Sequence, residues 1–98
     1  MQSGQSGLPM GSAILIRVKP TDYDRWLKVH VAASEARREY GITDGPVYRD
    51  AVNSNIALVH LNVEDVDRAM KWFQSDRFKE GVKRAGIVER EFWIAQKR

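Results

Sequence analysis

Seven residues, Ile56-Ala57-Leu58-Val59-His60-Leu61-Asn62, constrain this chain most, because Val63-Glu64-Asp65-Val66-Asp67-Arg68 follows them at once. Two β-branched residues and two leucines suit a strand, and the run is too short for a helix. With no Gly or Pro it can lie inside a sheet rather than at its edge. Asp65 then stands where a helix needs an N-cap. A buried strand feeding directly into a capped helix predicts strands and helices interleaved around one sheet.

The segment before it follows the same scheme. Ala13-Ile14-Leu15-Ile16-Arg17-Val18-Lys19 places Ile14, Ile16 and Val18 on one face and Leu15, Arg17 and Lys19 on the other, and Pro20 stops it. Thr21 is the expected cap of a helix running to about Tyr40. Asp22 and Asp24 suit its positive end, and Gly41 terminates it in a left-handed turn. Tyr23, Trp26, Leu27, His30, Ala33 and Arg37 recur at helical spacing as its inward stripe.

Residues 41–46 read as a turn and Val47–Val52 as a short strand, with Asn53-Ser54-Asn55 returning the chain antiparallel into the central strand. Beyond Asp65, Val66, Ala69, Met70 and Phe73 mark a second helix. Ser75-Asp76 breaks and re-caps it, and Phe78, Val82 and Ala85 carry its stripe to Gly86. Ile87–Ala95 is the last strand and Gln96-Lys97-Arg98 a polar tail. Residues 1–12, rich in Gly and Ser, predict a flexible leader with Met10 a candidate native start, outside a single domain at 13–98. The order β-α-β-β-α-β is the α+β ferredoxin-like arrangement, in which two right-handed crossovers put both helices on one face of a four-stranded antiparallel sheet.

Composition narrows the chemistry. There is no cysteine and only two histidines, His30 and His60, on different predicted elements, which argues against a built-in metal site. No apolar run approaches the roughly 18 residues of a membrane span. The net charge of +3 is carried by scattered residues, so nucleic acid is not the expected partner. The RNA-recognition motif shares this element order but stacks bases on strand aromatics, and ILIRVK and IALVHLN contain none.

Helices cover one side of such a sheet. One face carries Ile14, Ile16, Val18, Ala57, Val59, Leu61, Phe92 and Ile94; the other carries Leu15, Arg17, Ile56, Leu58, His60, Glu91 and Trp93. Neither is polar enough for simple solvation, and periodicity does not say which meets the helices. The remaining face is expected to join a second copy, sheet to sheet.

Two segments carry a resemblance. Residues 72–87, WFQSDRFKEGVKRAGI, look like the second-helix region of dimeric α/β-barrel proteins, and Ile14–Val18 followed by Asp22-Tyr23-Asp24-Arg25-Trp26 resembles their start. The chain is most similar to the small bacterial antibiotic-biosynthesis-monooxygenase-like and cyclase-like members. The resemblance spans Ala13–Ala95 and implies a homodimer whose two sheets form one barrel, with a pocket in each subunit between sheet and helices. Cofactor-free and haem-degrading members of this kind carry an Asn on the first strand, and haem-handling ones a His on the second helix. Ala13–Lys19 holds no Asn and Val66–Ala85 no His, so neither the monooxygenase nor the haem chemistry carries over by these residues, and no cofactor is expected.

The candidate site residues follow from chemistry and placement. His60 and His30 are the two groups that can move a proton near neutral pH. Arg17 and Tyr48 can orient ligand oxygens, and Trp26, Trp72 and Trp93 can wall an aromatic pocket. Each has a structural alternative: a hydrogen-bonded interface histidine, a half-buried helix histidine, core tryptophans, or an Arg17–Glu91 cross-strand pair. The resulting expectation is a cytoplasmic homodimer that binds a small aromatic or polyketide-like molecule; whether it also transforms it, in a cofactor-free monooxygenase- or cyclase-like reaction, is left open by the sequence. The alternative is a non-catalytic ligand sensor or protein-interaction module.

Overall fold

The computed structural model describes residues 12–96. Its strands are β1 (Ser12–Pro20), β2 (Ile42–Arg49), β3 (Ala57–Val63) and β4 (Ile87–Gln96). Its helices are α1 (Tyr23–Ala32), α2 (Ser34–Arg38), α3 (Val66–Gln74) and α4 (Asp76–Ala85). The sheet runs β2-β3-β1-β4 with every pair antiparallel, as a ferredoxin-like fold requires. β3 and β1 are central, and β2 and β4 form the edges.

Register settles which face the helices cover. Ile14 lies opposite Leu61 and Ile94, and Val18 opposite Ala57. Ile14, Val18, Ala57, Val59 and Leu61 are buried together with Trp26, Ala69, Trp72 and Ala85 from the helices. The alternate set, with Leu15 opposite His60 and Trp93, and Arg17 opposite Leu58 and Glu91, looks outward. Burying one face of a strand pins its register, since a one-residue slip would exchange the two sets.

Caps mark where the helices start. Asp65 accepts from the Arg68 amide, and Ser75 both ends α3 and caps α4 through the Phe78 amide. Gly41 (φ 74°) and Gly86 (φ 67°) adopt the left-handed conformation that closes a helix. At α1 the cap is Asp22, which accepts from the Arg25 amide, rather than Thr21. A carboxylate accepts more strongly than a hydroxyl at a helix start, and the Thr21 amide instead donates to the Gly86 carbonyl.

Three boundaries depart from expectation. The first helix is interrupted at Ala33, whose amide bonds the His30 carbonyl while that same carbonyl accepts from the Arg37 side chain. The second strand begins at Ile42 and ends at Arg49, rather than running from Val47 to Val52. Gly45 and Pro46, turn residues in the sequence, lie in an irregularity between Asp44 and Val47, which an edge strand tolerates. Ala51 and Val52 fall in the loop because Asp50 accepts from the Val52 and Asn53 amides and curls the chain early. Finally, Ser12, assigned to the leader by composition, is buried in β1 opposite Val63 and Gln96. The rest of that leader and the last two residues lie outside the described residues.

Gly45 is tightly enclosed. A Cβ there would lie 2.7 Å from the His60 carbonyl oxygen, a backbone atom that cannot swing away. Gly45→Ala should therefore destabilise the fold by about 1–3 kcal/mol, the usual cost of overpacking. Urea unfolding checks this, and an unchanged midpoint would show that the edge strand yields.

Candidate functional site

The sheet divides the predicted site residues into two groups. Trp26, His30 and Trp72 lie on the helix side. Arg17, Tyr48, His60 and Trp93 lie on the open side, by the register that pairs Leu15 with His60 and Trp93, and Leu58 with Arg17 and Tyr48. Seven residues that the sequence allows in one constellation thus belong to two places separated by a sheet.

On the helix side, two hollows of about 90 and 60 Å³ share Trp26, His30, Arg37, Trp72, Phe78 and Ile87 in their walls. The larger also reaches between α1 and α4, past Gly81, Arg77 and Arg84. The smaller is floored by Ile16, Val59 and Leu61 of the sheet. Helical spacing creates the first wall, since Trp26 and His30 are one turn apart and stack at 5.1 Å with planes 20° apart. Trp72 meets Phe78 edge-on at 5.9 Å, and this contact crosses the Ser75 break between α3 and α4.

Arg37 is the polar centre of this region. It is only 4% exposed, and its Nε and Nη2 donate to the two carboxylate oxygens of Asp44, each at 2.7 Å. Nη2 also donates to the His30 carbonyl at 2.6 Å. Among the described residues no acceptor meets Nη1, and neither ring nitrogen of His30 has a hydrogen-bond partner.

Burial above all, reinforced by the Arg37 charge and partly offset by Asp44, lowers the His30 pKa to about 4. His30 is thus neutral at pH 7. Burial opposes ionisation of Asp44, but the hydrogen bond and charge of Arg37 outweigh it and hold the carboxyl below its ordinary range. Arg37 and Asp44 were not candidates from sequence beyond the place of Arg37 on the inward stripe. The available signal was an arginine seven residues after His30 on an apolar helix face, where an unpaired charge is costly.

The open side carries a broader depression of about 570 Å³, lined in part by Leu15, Thr43, His60 and Asn62. Arg17 pairs there with Glu91 at 3.4 Å and Glu89 at 3.5 Å. Its charge is thus already engaged across the strands. Among the described residues there is no group of three or more metal-ligating side chains, and no helix is long and apolar enough to cross a membrane.

The His30 shift has a consequence for stability. The unfolded chain takes up this proton near pH 6.5, but the folded chain does so only near 4. Between those values the unfolded state binds more protons, so stability falls as pH drops through the window, by up to about 3 kcal/mol. Asp44, also held low, extends the loss to more acid pH. Denaturant unfolding across this range should show the slope in the parent chain and a flatter one in His30→Gln. Equal slopes would assign the loss to other groups.

No family model matches this chain, and no curated protein does. Solved structures do. A "putative antibiotic biosynthesis monooxygenase" from Bordetella bronchiseptica superposes with a TM-score of 0.73 at 20% identity, covering 90% of this chain and 98% of that one. A protein from Deinococcus radiodurans with the same description gives 0.66 at 8% identity, covering 89% and 92%. A conserved protein from Methanosarcina mazei gives 0.66 at 19%, covering 91% and 95%. At such identities the likeness speaks for architecture alone: the chain shares the ferredoxin-like α+β fold of these structures.

Proposed function

We propose that this protein binds a small aromatic molecule in the hollow between sheet and helices, as a homodimer joined through the open sheet face. The ligand reading rests on the hollow whose walls include Trp26, Trp72 and Phe78 and whose polar groups shared by both hollows are His30 and Arg37. Ligand sites are typically apolar and aromatic with a few polar groups that fix orientation. An apolar cavity of about 150 Å³ admits benzene; each hollow, at about 90 and 60 Å³, is smaller, so a single ring requires wall side chains to shift and a fused polyketide is disfavoured further.

The names of the Bordetella and Deinococcus structures suggest oxygenation. Cofactor-free oxygenation would need a base to take a proton from the bound ring before its electrons pass to dioxygen. His30 is the imidazole at the hollow, and a group with pKa near 4 is a weak acceptor at pH 7. Holding the ligand is therefore the primary role in this reading. The dimer reading is supported by Leu15 (41% exposed), Leu58 (39%), Trp93 (52%) and Tyr48 (60%) on the open face. Burying roughly 600 Å² of apolar area contributes on the order of 15 kcal/mol before association costs.

Backbone-amide NMR during titration with a panel of phenols, quinones and aromatic acids tests the site. Shifts centred on Trp26, His30, Arg37 and Trp72 are expected; shifts centred on Leu15, His60 and Trp93 would move the site to the open face. Sedimentation of the parent chain should give a dimer and Leu58→Glu a folded monomer. A monomeric parent would remove the interface.

A further inference from the structure

We propose that the ligand of this hollow is a small aromatic acid, drawn in between α1 and α4 by Arg77 and Arg84 and met inside by Nη1 of Arg37. This rests on the hollow being the binding site, and names the class of molecule it takes.

The first observation is the charge of the walls. Arg37, Arg77 and Arg84 line the larger hollow and Arg90 the smaller, while no Asp or Glu lines either. In a chain with 16 basic and 13 acidic residues this is a local segregation rather than a reflection of composition. Arg77 and Arg84 are exposed, and neither forms an ion pair among the described residues. A cleft lined by one sign of charge over low-dielectric walls concentrates the opposite ion.

The second observation is the unused donor. Asp44 takes Nε and Nη2 of Arg37, which leaves Nη1, on a residue that lines both hollows, with no acceptor among the described residues. A buried donor without a partner is costly, so an oxygen acceptor at this point recovers the loss. Asp44 already offsets much of the Arg37 charge. Arg37 should thus recognise an oxygen, while the preference for an anion falls on Arg77 and Arg84 at the rim.

The third observation is how the entrance is built. Small residues, Ala33, Gly81 and Ala85, line the passage between the helices. A Cβ on Gly81 would lie 3.7 Å from the Val29 side chain, an ordinary contact, so the fold itself does not demand glycine there. Arg25 spans the same two helices, its Nε donating to the Arg84 carbonyl at 2.7 Å. This holds the end of α4, and with it Arg84, beside the passage.

The test compares benzoate with benzamide, which keeps the ring and an acceptor oxygen but lacks the charge. Titration calorimetry at low salt with the full chain should show benzoate binding about tenfold more tightly, roughly one charge-assisted hydrogen bond or rim charge. Raising the salt should narrow the gap. The double variant Arg77→Gln, Arg84→Gln touches only exposed side chains, and should bring benzoate affinity down to that of benzamide. Arg37→Met, if it folds, should weaken both ligands. Equal affinities for benzoate and benzamide at Trp26 and Trp72 would overturn the acid preference while leaving the pocket intact. A preference that survives loss of both rim arginines would overturn their role. Binding of neither compound, with only water in the hollow, would overturn the pocket reading as well.

Discussion

Arg37 is the residue to which the helix side of the molecule is tied. A guanidinium 4% exposed would be prohibitive to bury alone, and the Asp44 carboxylate accepts from two of its nitrogens. That pairing fixes α2 against the start of β2. The same side chain donates to the His30 carbonyl, so a backbone oxygen at the end of α1 serves the arginine as well as the Ala33 amide. The interruption at Ala33 and the early start of β2 belong to the same arrangement. Removing one partner of such a pair leaves the other charge uncompensated, which is why buried pairs are hard to alter one residue at a time.

The two histidines show how strongly topology governs chemistry here. His30 lies on a helix face among tryptophans and arginines, and burial keeps it neutral. His60 is on the opposite side of the sheet, packed across Gly45 in a broad depression that includes Leu15 and Asn62. They cannot share one ligand. Any account of the helix-side hollow therefore uses one imidazole, supported by arginines, rather than a pair of titrating groups.

The hollow is also modest in size, and its walls are set by core packing. Trp26 and Trp72 are buried core residues and wall residues at once. Aromatic contacts among Trp72, Phe73, Phe78 and Phe92 run from the helices to the edge strand β4. With walls set by native packing density, these hollows of about 90 and 60 Å³ leave no room for an extended molecule.

The sequence by itself determined the element order, the caps at Asp65 and Ser75, the left-handed ends at Gly41 and Gly86, and the two alternating residue sets on the central strands. These are local: capping chemistry, period-two alternation and helical spacing act over a few residues. Tertiary structure decided which set faces the helices, because that depends on how the crossovers lay helices on the sheet. It also decided that Gly45 and Pro46 sit in an irregular edge strand rather than a turn, since the pairing of Ile42–Asp44 with β3 is a long-range bond. The site followed the same division. Trp26, His30 and Arg37 could be placed on one stripe from spacing alone. That Asp44 would neutralise two of the arginine's three nitrogens, and that His60 would be cut off by a sheet, required the chain to be closed, because burial and partner identity are properties of the packed molecule.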